Sequence, residues 1–238
     1  MTSNLNGKTV VIVGGSIGIG LAVGKEAQAQ GARVILVSST QSKLDGAVAE
    51  LGGSGRGLVL DVTDESTLPA FFQKVGPFDH LVFTAGDTAP PASTIADLDL
   101  KAAEGVFKLR FWGALAAIKH ALPTLAGDGS IILTDGVVAH RPVKGRAVSS
   151  AMLGAVEHLV RSLAVDLAPI RVNGVCPGLI WGERAKSFAP EQLEARFARL
   201  PLHRAGEPAE CAEAYLYLMR GGYTTGQVLT VDGGSSLS

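Results

Sequence analysis

The 238-residue chain lacks the features that mark several common classes of protein. It has only two cysteines, Cys176 and Cys211, which are too few for a disulfide framework and do not have the spacing of metal ligands. Its five histidines are scattered, with no His-x-x-x-His or Cys-x-x-Cys pair. We therefore expect both cysteines to be buried and the protein to bind no metal.

Charge of one sign and long apolar runs are also missing. The formal net charge is −1 and the basic residues are dispersed, so we expect no nucleic acid partner. No apolar run is long enough to cross a bilayer, and the N-terminus has no cationic start followed by an apolar segment. These absences predict a cytoplasmic protein without a membrane partner. The length and the 47% hydrophobic content fit a single domain over residues 1–238.

A glycine-rich turn follows the first apolar run, Val10–Val13. Three glycines spaced Gly-x-x-x-Gly-x-Gly connect this expected strand to a helix, and a pyrophosphate can rest on backbone N–H groups there because no Cβ intervenes. The spacing differs from the dinucleotide fingerprint Gly-x-Gly-x-x-Gly, and a plain loop is the alternative. If the turn binds a dinucleotide, its contacts are expected from Gly14, Ser16, Ile17, Gly18, Ile19 and Gly20.

Strands and helices alternate along the rest of the chain. Strands are predicted at 33–37, 57–60, 78–83, 129–134 and 170–175, and long helices at 100–125 and 149–167. This order predicts right-handed parallel crossovers and an α/β, doubly wound parallel sheet.

The end of the second strand bears on the choice of cofactor. Ser38, Ser39 and Thr40 stand where an acidic side chain would bind the ribose 2′-hydroxyl of NAD and repel the 2′-phosphate of NADP. Three hydroxyls, with Lys43 nearby, can bind a phosphate, so the sequence favours NADP(H) over NAD(H). The alternative is that these residues only cap the helix that begins near Gln41.

Four further segments follow the glycine turn in order. They are Asp61-Val62, Asn173-Gly174-Val175-Cys176-Pro177-Gly178, Arg204-Ala205-Gly206-Glu207-Pro208, and Thr225-Gly226 with Asp232-Gly233-Gly234. Together with the turn they resemble the short-chain dehydrogenase/reductase family over essentially the whole chain. The resemblance implies a three-layer Rossmann-type fold and an oxidoreductase that uses a nicotinamide dinucleotide and a small-molecule substrate.

The same resemblance implies roles for particular residues. The cofactor is expected to contact Asp61, Val62, Thr84, Ala85, Gly86, Pro177, Gly178 and Ile180, with Thr84 in place of the family's asparagine. Residues 179–207 correspond to the mobile substrate loop, in which Gly182 replaces an expected threonine. The family's helix-to-helix interfaces imply a homodimer or homotetramer.

The family's catalytic Tyr-x-x-x-Lys pair is absent. Alignment places Ser149 at the tyrosine position and Leu153 at the lysine position, and no tyrosine of this chain precedes Tyr215. The family's serine position falls on Asp135 or Gly136, and its asparagine position on Arg110. A small shift of the alignment therefore cannot restore the phenol that exchanges a proton with substrate.

The replacements lead to specific hypotheses. We expect Arg110 and Asp135 to form a charge-assisted pair, which is either an inert plug or a functional pair in which Arg110 binds an anionic substrate or Asp135 transfers a proton. His140 is a candidate for proton exchange, although its loop can also be a plain solvated connector.

Three functions stay open at this point. They are an NADP(H)-dependent oxidoreductase with a non-standard active site, a catalytically silent member that binds the cofactor as a sensor or scaffold, and cofactor-independent elimination or hydration through Asp135 or His140. The substrate cannot be named from the residues.

Overall fold

Seven parallel strands form one sheet in the computed structural model, which describes residues 4–86 and 92–238, apart from the side chain of Arg184. Their order is β3-β2-β1-β4-β5-β6-β7. The strands are Thr9–Val13 (β1), Arg33–Ser38 (β2), Arg56–Val59 (β3), Phe78–Phe83 (β4), Leu125–Thr134 (β5), Arg171–Pro177 (β6) and Val228–Val231 (β7).

Helices cover both faces of this sheet. They are Gly18–Ala29 (α1), Gln41–Glu50 (α2), Leu68–Val75 (α3), Leu100–Phe107 (α4), Ala114–Ala121 (α5), Ala147–Asp166 (α6), Glu183–Lys186 (α7), Pro190–Phe197 (α8) and Pro208–Arg220 (α9). One apolar core lies under α3, α5 and α6, and a second lies under α1, α2 and α9. Because both faces are covered, β1 at the centre of the sheet is buried along its whole length and is almost entirely apolar. The predicted fold class is confirmed.

The strand order reverses at β1, which pairs with β2 on one side and β4 on the other. Ligands of open parallel sheets bind outside the carboxyl ends of the strands at such a point. The glycine turn and the ends of β4, β5 and β6 meet on this edge. Within the described part of the chain, no helix is long and apolar enough to cross a bilayer.

Two predicted boundaries around β5 are wrong. The helix predicted at 100–125 is interrupted by a π-helical segment, Lys108–Gly113, and its last α-helical residue is Ala121. Pro123 lacks the N–H that a continuing helix needs. Because the helix ends early, β5 begins at Leu125, four residues before the predicted start of the strand.

Candidate cofactor and active site

Each glycine of the turn has a distinct environment. Gly14 has φ +89°, and a Cβ there would overlap the backbone of Ala85. A Cβ at Gly20 would overlap the Gly14 carbonyl and the Thr84 hydroxyl, so the helix can approach the strand only without a side chain. Gly18 has φ +54° and open space at its Cβ position. The turn is thus tightly packed at Gly14 and Gly20 and open at Gly18. This arrangement fits a pyrophosphate that rests on the backbone.

The N-terminus of α1 is available to an anion. Ile17 precedes the helix with extended backbone, no side chain of the described residues caps it, and the first turn contains no acidic residue. Ile19 lies within that first turn. The hydroxyl of Ser16, on the approach to the helix, lies 3.1 Å from that of Ser38 at the end of β2. These features fit the phosphates of a dinucleotide.

Thr84 ties the end of β4 to this turn. Its hydroxyl hydrogen is shared between the carbonyl oxygens of Val13, at 3.2 Å, and Gly14, at 3.1 Å. The N–H groups of Thr84 and Ala85 also donate to Val13 O, at 2.8 and 3.0 Å. The threonine therefore joins the end of β4 to the end of β1 and to the glycine turn.

The side chain of Thr40 does not act as the predicted helix cap. Thr40 is the N-cap residue of α2, but its side chain makes no capping hydrogen bond within the described structure. The capping alternative is therefore wrong for Thr40. Ser39 and Lys43 are exposed beside it, so a hydroxyl and an ammonium group remain accessible to a ligand at this edge.

Asp61 and Val62 follow β3 with different roles. Val62 is buried in the core, whereas Asp61 is exposed. The Asp61 carboxylate accepts hydrogen bonds from the N–H of Thr63 at 2.9 Å and from its hydroxyl at 2.7 Å. These bonds lower the pKa of Asp61, so the side chain is an oriented carboxylate at neutral pH.

The segment after β6 is held by backbone contacts. A Cβ at Gly178, the residue after Pro177, would overlap Asp232, and the Gly178 N–H donates to Val231 O at 3.0 Å. Ile180 forms an isolated bridge with Gly206. The region 179–207, which contains α7 and α8, is thus joined near its two ends.

Arg110 lies at the carboxyl end of β4. It belongs to the π-helical segment, and its guanidinium group lies so close to Gly86 that a Cβ on Gly86 would overlap it. Single-turn π-helical segments are frequent at functional sites because they redirect one side chain. The cation is thereby placed beside the expected cofactor.

Asp135, directly after β5, has a buried carboxyl group that makes no hydrogen bond with the described residues. Its side chain is 2% exposed, and neither carboxyl oxygen has a hydrogen-bond partner among the described residues. Burial raises the pKa of Asp135 to about 7, and the Glu157 carboxylate adds to the rise. The Gly136 N–H and the Cys176 thiol are near enough to oppose the rise, but neither reaches hydrogen-bonding geometry. Asp135 is therefore partly protonated at neutral pH, when an ordinary aspartate is ionised.

The predicted pair between Arg110 and Asp135 is wrong. Arg110 contacts Gly86 at the end of β4, whereas the unpartnered Asp135 carboxyl is surrounded by groups from β6, α6 and the turn after β5. Sequence alignment places both residues in one site, but the side-chain directions keep their charged groups from forming a hydrogen bond.

The structure instead brings Asp135 together with His140 and Cys176. One carboxyl oxygen, one ring nitrogen and the sulfur lie within 4.8 Å of one another. His140 Nε2 lies 3.5 Å from Glu157 Oε2, and Arg161 donates to Glu157 Oε1 at 2.7 Å. Cys176 and Glu157 were not predicted from the sequence as members of this cluster. In the structure, Thr134 pairs with Val175, and this pairing places the next residues, Asp135 and Cys176, side by side.

The thiol and carboxyl of this cluster favour their protonated forms. Burial raises the pKa of Cys176, and Asp135 raises it further. Both cysteines are buried, as expected. A thiol and a carboxyl must lose their protons to hold a metal ion, and the absence of a metal stays a prediction.

Ser149 and Leu153 occupy the first two turns of α6, and both are buried. Leu153 packs against Gly136, where an added Cβ would lie 3.2 Å from its Cδ1. Ser149 borders a cavity of about 20 Å³, which has room for about one water molecule. An apolar side chain thus replaces the family's lysine.

The fold places the chain in the doubly wound α/β class, and comparisons with known proteins specify the family. A family model described as enoyl-(acyl carrier protein) reductase matches residues 14–236. The chain is 34% identical to the short-chain dehydrogenase/reductase ATR9 of Stachybotrys chlorohalonatus over 98% of each chain. It belongs to the short-chain dehydrogenase/reductase family of oxidoreductases.

Two solved structures are similar over nearly the whole chain. A small-chain dehydrogenase in complex with NADPH has a TM-score of 0.83 and 32% identity, with 98% of this chain and 100% of that chain covered. The MalC reductase/Diels-Alderase of Malbranchea aurantiaca has a TM-score of 0.91 and 30% identity, with 98% of each covered.

Proposed function

We propose that the protein is an NADP(H)-dependent oxidoreductase in which Asp135 replaces the family's tyrosine as the group that exchanges a proton with the substrate. The observation that carries the proposal is the buried carboxyl of Asp135, which has no hydrogen-bond partner in the described structure and lies at the sheet edge where the family's substrate serine is expected. A buried polar group without a partner is costly unless a ligand satisfies it.

The residues at the sheet edge fit the cofactor. The open backbone at Gly18 and the uncapped N-terminus of α1 would hold the pyrophosphate, and Asp61 would contact the adenosine. Ser39, Thr40 and Lys43 would bind the 2′-phosphate, in a segment that lacks the acid typical of NAD sites. The NADPH complex of a similar dehydrogenase supports the same preference. When bound, the cofactor supplies or accepts the hydride.

Asp135 acts as the general acid in substrate reduction and as the general base in substrate oxidation. In reduction, its protonated carboxyl donates to the substrate oxygen or nitrogen, and in oxidation its carboxylate takes that proton back. A group with a pKa near the working pH suits both directions, and positioned proton transfer contributes about 10²- to 10⁴-fold to the rate. Burial gives Asp135 such a pKa, about 7.

Arg110 and Ser149 would bind the substrate. The guanidinium group beside Gly86 is placed to attract a carboxylate or a partially negative carbonyl oxygen. The Ser149 hydroxyl stands at the former tyrosine position and can donate a hydrogen bond, but it does not titrate near neutral pH. Arg110 therefore provides charge and Ser149 provides orientation.

The second candidate is a catalytically silent protein that binds the cofactor. It is favoured by Leu153, which brings no charge to the lysine position, and by the small cavity at Ser149. In this alternative, Asp135 is a buried remnant and the cofactor acts only as a signal or a stabiliser.

Two measurements distinguish the candidates. Thermal shift and calorimetry with NADPH and NADH measure binding, since a ligand of the folded state raises its apparent stability. A panel of carbonyl and imine compounds with NADPH then measures turnover by nicotinamide absorbance. Binding with turnover that Asp135→Asn lowers at least about 100-fold supports the oxidoreductase. Binding without turnover across the panel favours the silent protein, and turnover unchanged in Asp135→Asn removes Asp135 from the mechanism.

A further inference from the structure

We propose that His140 carries protons between solvent and Asp135, and that Glu157 and Arg161 hold its imidazole in place for that exchange. The proposal rests on the proposed function, because it answers a problem which that function creates. Asp135 gives up a proton in each reduction, yet its side chain is only 2% exposed. A second group must therefore return the proton from water.

The groups that face the carboxyl come from three elements. Glu157 approaches from α6, Cys176 from the end of β6, and His140 from the turn that follows β5. The cysteine is fully buried and burial raises its pKa, so its thiol does not exchange protons near neutral pH. Glu157 has a 14% exposed side chain and is ion-paired with Arg161.

His140 combines the two properties that the remaining groups lack. Its side chain is 36% exposed, and one ring nitrogen lies within 4.8 Å of a carboxyl oxygen of Asp135. Imidazole is the side chain suited to gain and lose a proton near pH 7. His140 therefore connects a buried acid to water through a single side chain.

Glu157, which is held by Arg161, lies beside this imidazole. Glu157 Oε2 lies 3.5 Å from His140 Nε2, while its other oxygen accepts from Arg161 at 2.7 Å. The same imidazole has a ring nitrogen within 4.8 Å of a carboxyl oxygen of Asp135. Glu157 and Arg161 are positioning residues, since they act through His140.

The proton steps balance without an added oxidant or reductant. After Asp135 has protonated the substrate heteroatom, an N–H bond of the His140 imidazolium breaks and an O–H bond forms on the Asp135 carboxylate. The neutral imidazole then takes a proton from hydronium or a buffer acid. In substrate oxidation, each step runs in the opposite direction.

The test compares His140→Gln with a matched control, His158→Gln, on the exposed surface of α6. Glutamine keeps a polar side chain that cannot carry a proton. We expect His140→Gln to lower kcat at least about tenfold with little change in KM or NADPH affinity, and added imidazole to restore part of the rate. Glu157→Gln should produce a smaller loss of kcat. The control should leave all of these parameters unchanged.

A second readout needs neither cofactor nor turnover. Burial is the main cause of the raised pKa of Asp135, and His140 opposes that rise. In the free protein, the ¹³C signal of the Asp135 carboxyl should therefore titrate at higher pH in His140→Gln than in the wild type. An unchanged titration would show that the two groups do not communicate and would overturn the proposal.

Other outcomes also separate the relay from the proposed function. Unchanged kcat in His140→Gln, with a large loss in Asp135→Asn, overturns the relay alone. Unchanged turnover in Asp135→Asn overturns the proposed function instead. If Zn²⁺ or a chelator alters wild-type turnover and Cys176→Ser abolishes that response, the cluster binds a metal and the relay is overturned.

Discussion

The Thr84 hydroxyl lies 3.1 Å from the carbonyl oxygen of Gly14, the first residue of the glycine turn. The same hydroxyl lies 3.2 Å from Val13 O. One side chain at the end of β4 therefore fixes the end of β1 and the start of the glycine turn.

Removal of this hydroxyl should loosen the turn. We expect Thr84→Val, which has nearly the same shape, to lower the free energy of unfolding by about 1–2 kcal/mol and to weaken NADPH binding. Thr84→Ser keeps the hydroxyl and should retain most of both. Urea denaturation and calorimetry measure the two quantities. Equal stability of the valine and serine variants would contradict the role given to the hydroxyl.

Gly20 should tolerate no side chain. In Gly20→Ala, the added Cβ would meet the Gly14 carbonyl and the Thr84 hydroxyl, so backbone must move. We expect a loss of about 1–3 kcal/mol of stability and at least about tenfold weaker NADPH binding, since the phosphate contacts depend on this backbone.

The matched control is Gly46→Ala within α2, where an added Cβ meets nothing within 4 Å. Alanine should stabilise that helix by about 0.5–1 kcal/mol and leave NADPH binding unchanged. If Gly20→Ala also bound NADPH normally, the turn would not be the phosphate site.

The sequence predicts those parts of the fold that depend on neighbouring residues, such as β1 and the glycine turn. The short apolar run before Gly14 is typical of a buried strand, and the glycine spacing indicates a turn in which close backbone approach excludes Cβ atoms. The relation of Arg110 to Asp135 depends on the direction of two side chains. A π-helical segment sets one direction, and the register of β5 with β6 sets the other. Neither is encoded in nearby residues, so the predicted pair was wrong.

The proximity of Cys176 and Glu157 to Asp135 could not be predicted from the sequence for the same reason. Cys176 and Glu157 are separated from Asp135 by tens of residues along the chain, and only the parallel pairing of β5 with β6 and the packing of α6 bring them together. The resemblance to the family gave no signal for either residue, because the family's own catalytic groups are replaced here.

Asp135 should make stability depend on pH. Its pKa is raised from 3.8 to about 7 by burial, so between these values the folded protein binds more protons than the unfolded chain. The contribution of Asp135 to the free energy of unfolding is therefore greatest below about pH 4. It decreases as the pH rises and is lost once the pH has passed about 7. The difference corresponds to at most about 4 kcal/mol.

Asp135→Asn removes this proton linkage while it keeps the side-chain size. We expect the variant to gain stability relative to the wild type as the pH is raised from 5 to 8, measured by urea denaturation at each pH. A difference between the two proteins that is the same at pH 5 and pH 8 would show that Asp135 has an ordinary pKa.

Ser39 should influence the choice between NADP and NAD. Its exposed hydroxyl follows β2 near Lys43 and no acidic residue occupies positions 38–40. Ser39→Asp would place a carboxylate near the 2′-phosphate, so we expect NADPH binding to weaken at least about tenfold, or about 1.4 kcal/mol, while NADH binding is kept or improved. Ser39→Ala, which removes the hydroxyl without adding charge, should weaken NADPH binding by a smaller factor and leave NADH unaffected. Calorimetry with both cofactors measures the ratio, and an equal loss for NADPH and NADH in Ser39→Asp would place the 2′-phosphate elsewhere.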